Sequence, residues 1–326
     1  MSRWRMVGLA AGMVSVAAGG TAAAQPPAGS TRDPGEARFV YEDVERFAGL
    51  SRDLSCDPES EARWAGYLEA GTPGLKAFIE RKGLSAASLR SAVCGRPEHY
   101  AALGDLPGRL RAQEDEIGAS FAALREIFPE AVFFPTYYFV ADFSAGGLAD
   151  PAGVLISAET YAFPASPEGE GAAAGPSVER IPYLVAHEMV HVQQAMVQGV
   201  EQYRSIYGPG QTRLALAIRE GSADFLAWLI SGDHTSPAAH AYGRQHEAEL
   251  WEEFRADRSA GDLGDWFFVE PQRDDGRPAE LGYFIGFRIA QTFYDRAPDK
   301  QQAVRRILGV TDPETFLQES GYRGGG

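Results

Sequence analysis

The sequence predicts a mainly helical α+β fold with a small β-sheet beside one particular helix. Three observations carry this. Apolar residues recur at helical spacing through residues 38–127 and again beyond residue 178. Between these stretches, residues 131–142 and 154–163 are rich in β-branched and aromatic side chains. The third is His187-Glu188-Met189-Val190-His191, whose polar groups share one face only on a helix, where positions i and i+4 project together.

The elements follow in order. Arg3 and Arg5 give a basic start, Met6 to Val16 is a short apolar run, and small residues lead to Ala22-Ala23-Ala24. This reads as a signal peptide over residues 1–24, cleaved after Ala24, for a periplasmic or secreted protein. The apolar run falls short of the roughly 20 residues that span a bilayer, and the rest of the chain offers no transmembrane segment. Residues 25–36 are rich in Pro, Gly and Ser and are expected to be a disordered leader. Residues 37–326 are expected to form a single domain, with a helical part at 37–127 and the sheet, the motif helices and the C-terminal helices at 128–326.

Within the helical part, Phe39, Val40, Val44 and Phe47 keep helical spacing, as do Leu75, Phe78 and Ile79, with Pro73-Gly74, Gly83 and Gly104 as breaks. Val132, Phe133, Phe134, Tyr137, Tyr138, Phe139 and Val140 read as a strand; Pro135 inside the run suggests an edge or a bulge. Val154 to Phe163 reads as a second strand. Residues 164–178, rich in Pro, Gly, Ala and Glu, read as a loop.

With 326 residues and 44% apolar content the chain can bury a sizeable core. Its formal net charge is −15, and cleavage would remove two arginines besides. Such a surface repels phosphate backbones and argues against nucleic acid as a partner. The two cysteines, Cys56 and Cys94, are expected to form one disulfide in an exported protein. Closing that loop would stabilise the fold by about 4 kcal/mol. No C-x-x-C occurs and neither cysteine is near His187 in sequence, so redox or thiol chemistry has no support.

Two imidazoles at i and i+4 can bind one Zn²⁺ at about 2.0–2.1 Å each. Glu188, beside the first, can reach a metal-bound water without ligating the metal, and zinc lowers the pKa of that water towards about 7. A catalytic zinc needs a third protein ligand, with the fourth position left for water. Glu220, followed four residues later by Asp224, supplies a candidate from a second helix, with 28 residues between it and His191. Asp224 can accept the outer N–H of a ligating histidine and fix its tautomer. Gln194 and Val197 stand where a metzincin needs Gly and His.

H-E-x-x-H followed by E-x-x-x-D resembles the gluzincins. By that resemblance His187, His191 and Glu220 would be the zinc ligands, Glu188 the base, and Asp224 the support of the first histidine. A closer resemblance runs from residue 38 to 320. Tyr41 to Phe47 (YEDVERF), Tyr67 to Ile79 (YLEAGTPGLKAFI), Tyr138-Phe139-Val140, Phe143 to Gly147 (FSAGG), His187 to Gln194 (HEMVHVQQ), Glu220 to Phe225 (EGSADF) and Gly282 to Phe287 (GYFIGF) occur in that order. This succession resembles the bacterial family of predicted zinc-dependent proteases related to the GldB-type gliding-motility lipoprotein. Lipoprotein members carry a cysteine at the cleavage site and this chain does not, so lipid anchoring is not implied.

The resemblance implies a zincin-like metallopeptidase core in which the 131–147 segment lines the cleft. Phe143-Ser144-Ala145-Gly146-Gly147 would either let a substrate backbone approach closely or be an ordinary β-turn. Tyr283, flanked by Gly282 and Gly286, is the first candidate oxyanion donor and Arg288 the second. His234, His240 and His246 read as surface residues and His99 as a solvated loop residue; Gln193 and Gln194 receive no role.

The expectation is an exported, Zn²⁺-dependent metallopeptidase acting on a peptide or protein substrate. Its alternative is a vestigial zincin acting as a cell-envelope binding or assembly factor. A non-peptide amide hydrolase would use the same groups. Retention of Glu188, which a structural metal site does not need, favours catalysis.

Overall fold

Thr136-Tyr137-Tyr138-Phe139 forms the strand around which the sheet of this computed structural model is organised. The structure describes residues 26–52, 54–163, 176–208, 210–267 and 276–325. The signal peptide expected at 1–24 and most of the loop expected at 164–178 lie outside the described residues. The strands are β1 (Phe39–Val40), β2 (Thr136–Phe139), β3 (Gly147–Asp150) and β4 (Gly153–Ser157), in the order β1-β2-β4-β3. β2 pairs parallel with both β1 and β4, while β3 pairs antiparallel with β4. A strand with parallel neighbours on both sides buries both faces, which is why 136–139 is a continuous apolar-aromatic run rather than an alternation.

Four expectations are corrected here. Pro135 does not mark an edge or a bulge. It immediately precedes an interior strand, so its missing N–H costs no ladder bond, and its carbonyl accepts from Val154 N at 2.9 Å. Phe39 and Val40 are not helical; they pair with Thr136 and Tyr137 as β1, and the helix starts at Glu42. The strand expected over 154–163 ends at Ser157 and turns into a 3-10 segment, Ala158–Tyr161. The leader expected to be disordered is structured: Thr31 and Phe133 exchange backbone hydrogen bonds of 3.0 and 2.8 Å, and Asp33 caps the 3-10 turn Pro34–Glu36.

The described chain divides into two compact units. The sheet-bearing one comprises Pro26–Ala119 and Val132–Met189; the other is helical and comprises Ser120–Ala131 and the described part of Val190–Gly326. The sheet-bearing unit contains α1 (Glu42–Leu50), α2 (Glu61–Glu69), α3 (Pro73–Lys82), α4 (Ala86–Gly95), α5 (Pro97–Ala101) and α6 (Leu106–Arg111). Helices α7 (Glu114–Ile127) and α8 (Ile181–Gln198) run unbroken through the unit boundaries. The helical unit adds α9 (Val200–Tyr207), α10 (Arg213–Ser231), α11 (Pro237–Asp257), α12 (Leu281–Arg296), α13 (Lys300–Leu308) and α14 (Pro313–Ser320).

Local signals set these limits. Thr72 caps α3 with Pro73 at its first position, and Gly83 ends it in the left-handed conformation. Thr212 caps α10 by accepting from Ala215 N at 3.1 Å, and Gly232 closes it at φ 88°. In the sheet-bearing unit, Phe47, Trp64, Phe78, Tyr100 and Phe139 are fully buried, and Cys56 and Cys94 are joined in the expected disulfide.

In the helical unit α10 and α12 cross at glycines. A Cβ on Gly221 would lie 2.2 Å from Phe287 N, and one on Gly286 would lie 1.7 Å from the Ala217 carbonyl oxygen. The backbones therefore touch, which only residues without a side chain permit. No helix among the described residues is long and apolar enough to cross a membrane.

Candidate metal centre

Helix α8 is apolar on most of its surface: Val185, Ala186, Met189, Val190 and Val192 are all buried. Pro182 stands in its first turn, where no intrahelical N–H is lost. On such a helix the polar residues His187, Glu188, His191, Gln193 and Gln194 are buried with the rest, and a polar group withdrawn from water requires a partner. His187 and His191 are one turn apart. From α10, Glu220 reaches them, so that His Nδ1 or Nε2 atoms and a carboxylate oxygen of the three residues lie within 4.8 Å of one another.

The hydrogen bonds decide which nitrogen of His191 faces Glu220. Gln194 Nε2 donates to the Arg219 carbonyl at 3.1 Å, so its Oε1 is the acceptor that meets His191 Nδ1 at 2.8 Å. His191 therefore carries a proton on Nδ1 and turns Nε2 towards Glu220 Oε2, 3.1 Å away. A divalent cation held between that ring nitrogen and the carboxylate would satisfy both. Arg219 Nε holds the other Glu220 oxygen at 3.2 Å, leaving Oε2 to face the imidazole. His187, His191 and Glu220 thus fit a zinc-type donor set of two imidazoles and one carboxylate. Gln194, to which the sequence assigned nothing, is the residue that orients His191; its signal is its position three residues after His191, on the same helical face.

Asp224, buried one turn beyond Glu220, faces the imidazoles of His234 and His240. Its Oδ1 accepts from Thr235 N at 3.1 Å and Thr235 Oγ1 at 2.9 Å, and its Oδ2 pairs with His240 Nε2 at 2.5 Å. These bonds tie it to the 234–240 segment. His240 is buried and His234 largely so, which corrects their expected surface placement; His246 is half-buried, stacked 4.2 Å from the Tyr242 ring and 3.5 Å from Glu249.

Within the sheet-bearing unit, Glu188 meets the start of β3. A Cβ on Gly147 would lie 3.1 Å from Glu188 Oε1 and 3.0 Å from Leu184. The preceding turn is anchored by Glu159, which is fully buried and accepts from Ala141 N at 3.0 Å, Phe143 N at 3.1 Å and Ser157 Oγ at 2.7 Å. Phe143 sits at φ 61°, a conformation that costs a non-glycine residue about 1–2 kcal/mol. Burial pushes the Glu159 carboxyl up to about 7, against the lowering effect of its three donors. His99, expected to be solvated, packs 4.5 Å from the Phe163 ring and donates from Nε2 to the Glu159 carbonyl at 2.9 Å; burial lowers its pKa.

Tyr283 is buried on α12 with its ring 6.2 Å from that of Phe267. The glycines that flank it have structural reasons of their own: Gly286 admits α10, and a Cβ on Gly282 would strike Phe267. Arg288 is engaged by Glu247 at 2.8 Å. Comparison with known proteins gives no match: no protein-family model, no curated protein and no solved structure matches this chain.

Proposed function

We propose that this chain is an exported zinc-dependent metallopeptidase that hydrolyses peptide bonds. One observation carries the reading: two imidazoles and a carboxylate from two helices come together in a buried place, with a second carboxylate, Glu188, adjacent in sequence to the first imidazole. His187, His191 and Glu220 would hold the ion and leave a position for water. When bound, zinc supplies Lewis acidity towards water and a peptide carbonyl.

The chain's own groups supply the rest. Glu188 accepts a proton from the attacking water at its carboxylate and passes it to the leaving amine. Gln194 keeps His191 Nε2 turned inwards, and Arg219 fixes the orientation of Glu220. Glu188 packs closely against Gly147 at the start of β3, and β3 is an outer strand of its sheet, so an extended peptide added to it would run near that carboxylate. The oxyanion role proposed for Tyr283 rests on the sequence. Export is read from residues 1–24.

The test uses protein beginning near Gln25, loaded with zinc and offered a mixed peptide library. Wild type should cleave, and Glu188→Gln should keep its zinc while losing turnover by at least about a hundredfold. Hydrolysis retained by Glu188→Gln removes Glu188 from the mechanism. A zinc-loaded wild type that cleaves nothing in the library overturns the peptidase reading.

A further inference from the structure

The helical unit contains a second convergence of metal-binding side chains. Asp224, His234 and His240 place one ligand atom each within 4.8 Å of one another. Asp224 comes from α10, His234 from the connection after Gly232, and His240 from the first turn of α11. The two imidazole rings stack face to face, with centroids 3.5 Å apart and planes within 8°. Both turn a nitrogen on the same carboxylate oxygen: His240 Nε2 is 2.5 Å and His234 Nδ1 3.8 Å from Asp224 Oδ2.

The surroundings explain what this arrangement is for. Trp228 lies 6.0 Å from the His234 ring, Phe287 lies 5.0 and 4.6 Å from the two rings, and Phe284 lies 5.6 Å from His240. Thr235 holds Oδ1 through its N–H and hydroxyl and so leaves Oδ2 facing the rings. A simple Asp–His hydrogen bond would need only His240. Placing a second imidazole edge against the same oxygen, inside an apolar box where a phenyl ring would pack more easily, is the arrangement of a ligand set.

We propose that Asp224, His234 and His240 form a second divalent-metal site, with the two-imidazole, one-carboxylate donor set that suits Zn²⁺. It lies one helical turn along α10 from Glu220 and is independent of the peptidase reading. A bound ion would fasten the α10–α11 connection to α10.

Equilibrium dialysis against free Zn²⁺, with metal counted by elemental analysis, tests it. In a His187→Ala/His191→Ala background the first site is disabled, and the full mature chain should retain about one zinc. Adding His234→Gln or His240→Gln, each of which keeps a polar side chain of similar size, should reduce that to none. Wild type should bind about two. Far-UV circular dichroism on each metal-free protein confirms folding, and cobalt substitution gives a ligand-field spectrum that each Gln variant should abolish. No zinc in the folded double-alanine background overturns the proposal, as does zinc that survives both Gln substitutions. A wild type holding one ion that is lost with His240→Gln, but kept with His187→Ala/His191→Ala, supports this site and refutes the other; the reverse pattern does the opposite.

Discussion

His191 Nδ1 donates to Gln194 Oε1 at 2.8 Å, and this bond turns Nε2 of the imidazole towards Glu220 Oε2, 3.1 Å away. The Gln194 amide is itself oriented by the Arg219 carbonyl, so a backbone group on α10 sets the tautomer of a histidine on α8. Groups that orient metal ligands are typically worth about 10–100-fold in affinity. Gln194→Ala should therefore weaken zinc binding at the first site by about that factor. A chelator-competition titration on the His240→Gln background, which isolates this site, reads it directly. A change below about twofold would show that the helix alone orients His191.

The contact of α10 with α12 makes Gly221 and Gly286 intolerant of a single methyl group. Overpacking usually costs about 1–3 kcal/mol, and more where the obstacle is backbone. Gly221→Ala and Gly286→Ala should each destabilise by about 3 kcal/mol or more in urea unfolding. Gly66, exposed on α2 with open space where a Cβ would stand, is the control: Gly66→Ala should stabilise by up to about 1 kcal/mol. Equal effects at all three positions would refute the close-contact argument.

Glu159 should give the fold a pH dependence. Its carboxyl is raised by burial from an ordinary 4.5 to about 7, so between these values the folded chain holds a proton that the unfolded chain releases. Stability from this group is complete below about pH 4.5 and is lost as pH rises through about 7, by about 3 kcal/mol in all. Urea unfolding of Glu159→Gln should be flatter over pH 5–7 than wild type. It should also be lower at pH 5, because an amide cannot accept from Ala141 N, Phe143 N and Ser157 Oγ together. A Gln variant with the wild-type slope would assign the dependence to another group.

Much of the architecture was legible because it is encoded locally. Pro73-Gly74 and Gly83 act within one turn of themselves, so they mark the limits of α3 in the sequence as plainly as in the structure. The sheet was harder to read. Phe39-Val40 keeps helical spacing with Val44 and Phe47, and only the presence of Thr136-Tyr137 alongside makes it a strand. Pro135 suggests an edge because the sequence does not say whether the chain pairs before or after it.

The sequence by itself determined that His187 and His191 share a helical face, with Glu188 beside them, since a spacing of four is a property of the helix and needs no partner. It also marked Cys56 and Cys94 as a pair, there being no other cysteine. Only the packing of the helices shows that His191 is oriented by Gln194, that Glu220 faces His191, and that His240, expected at the surface, is buried against Asp224. The physical reason is the range of the interaction. Periodicity reports which way a side chain points, but the groups it meets depend on where α8, α10 and α11 cross, and that is set by contacts such as Gly221 against Phe287 that no local pattern announces.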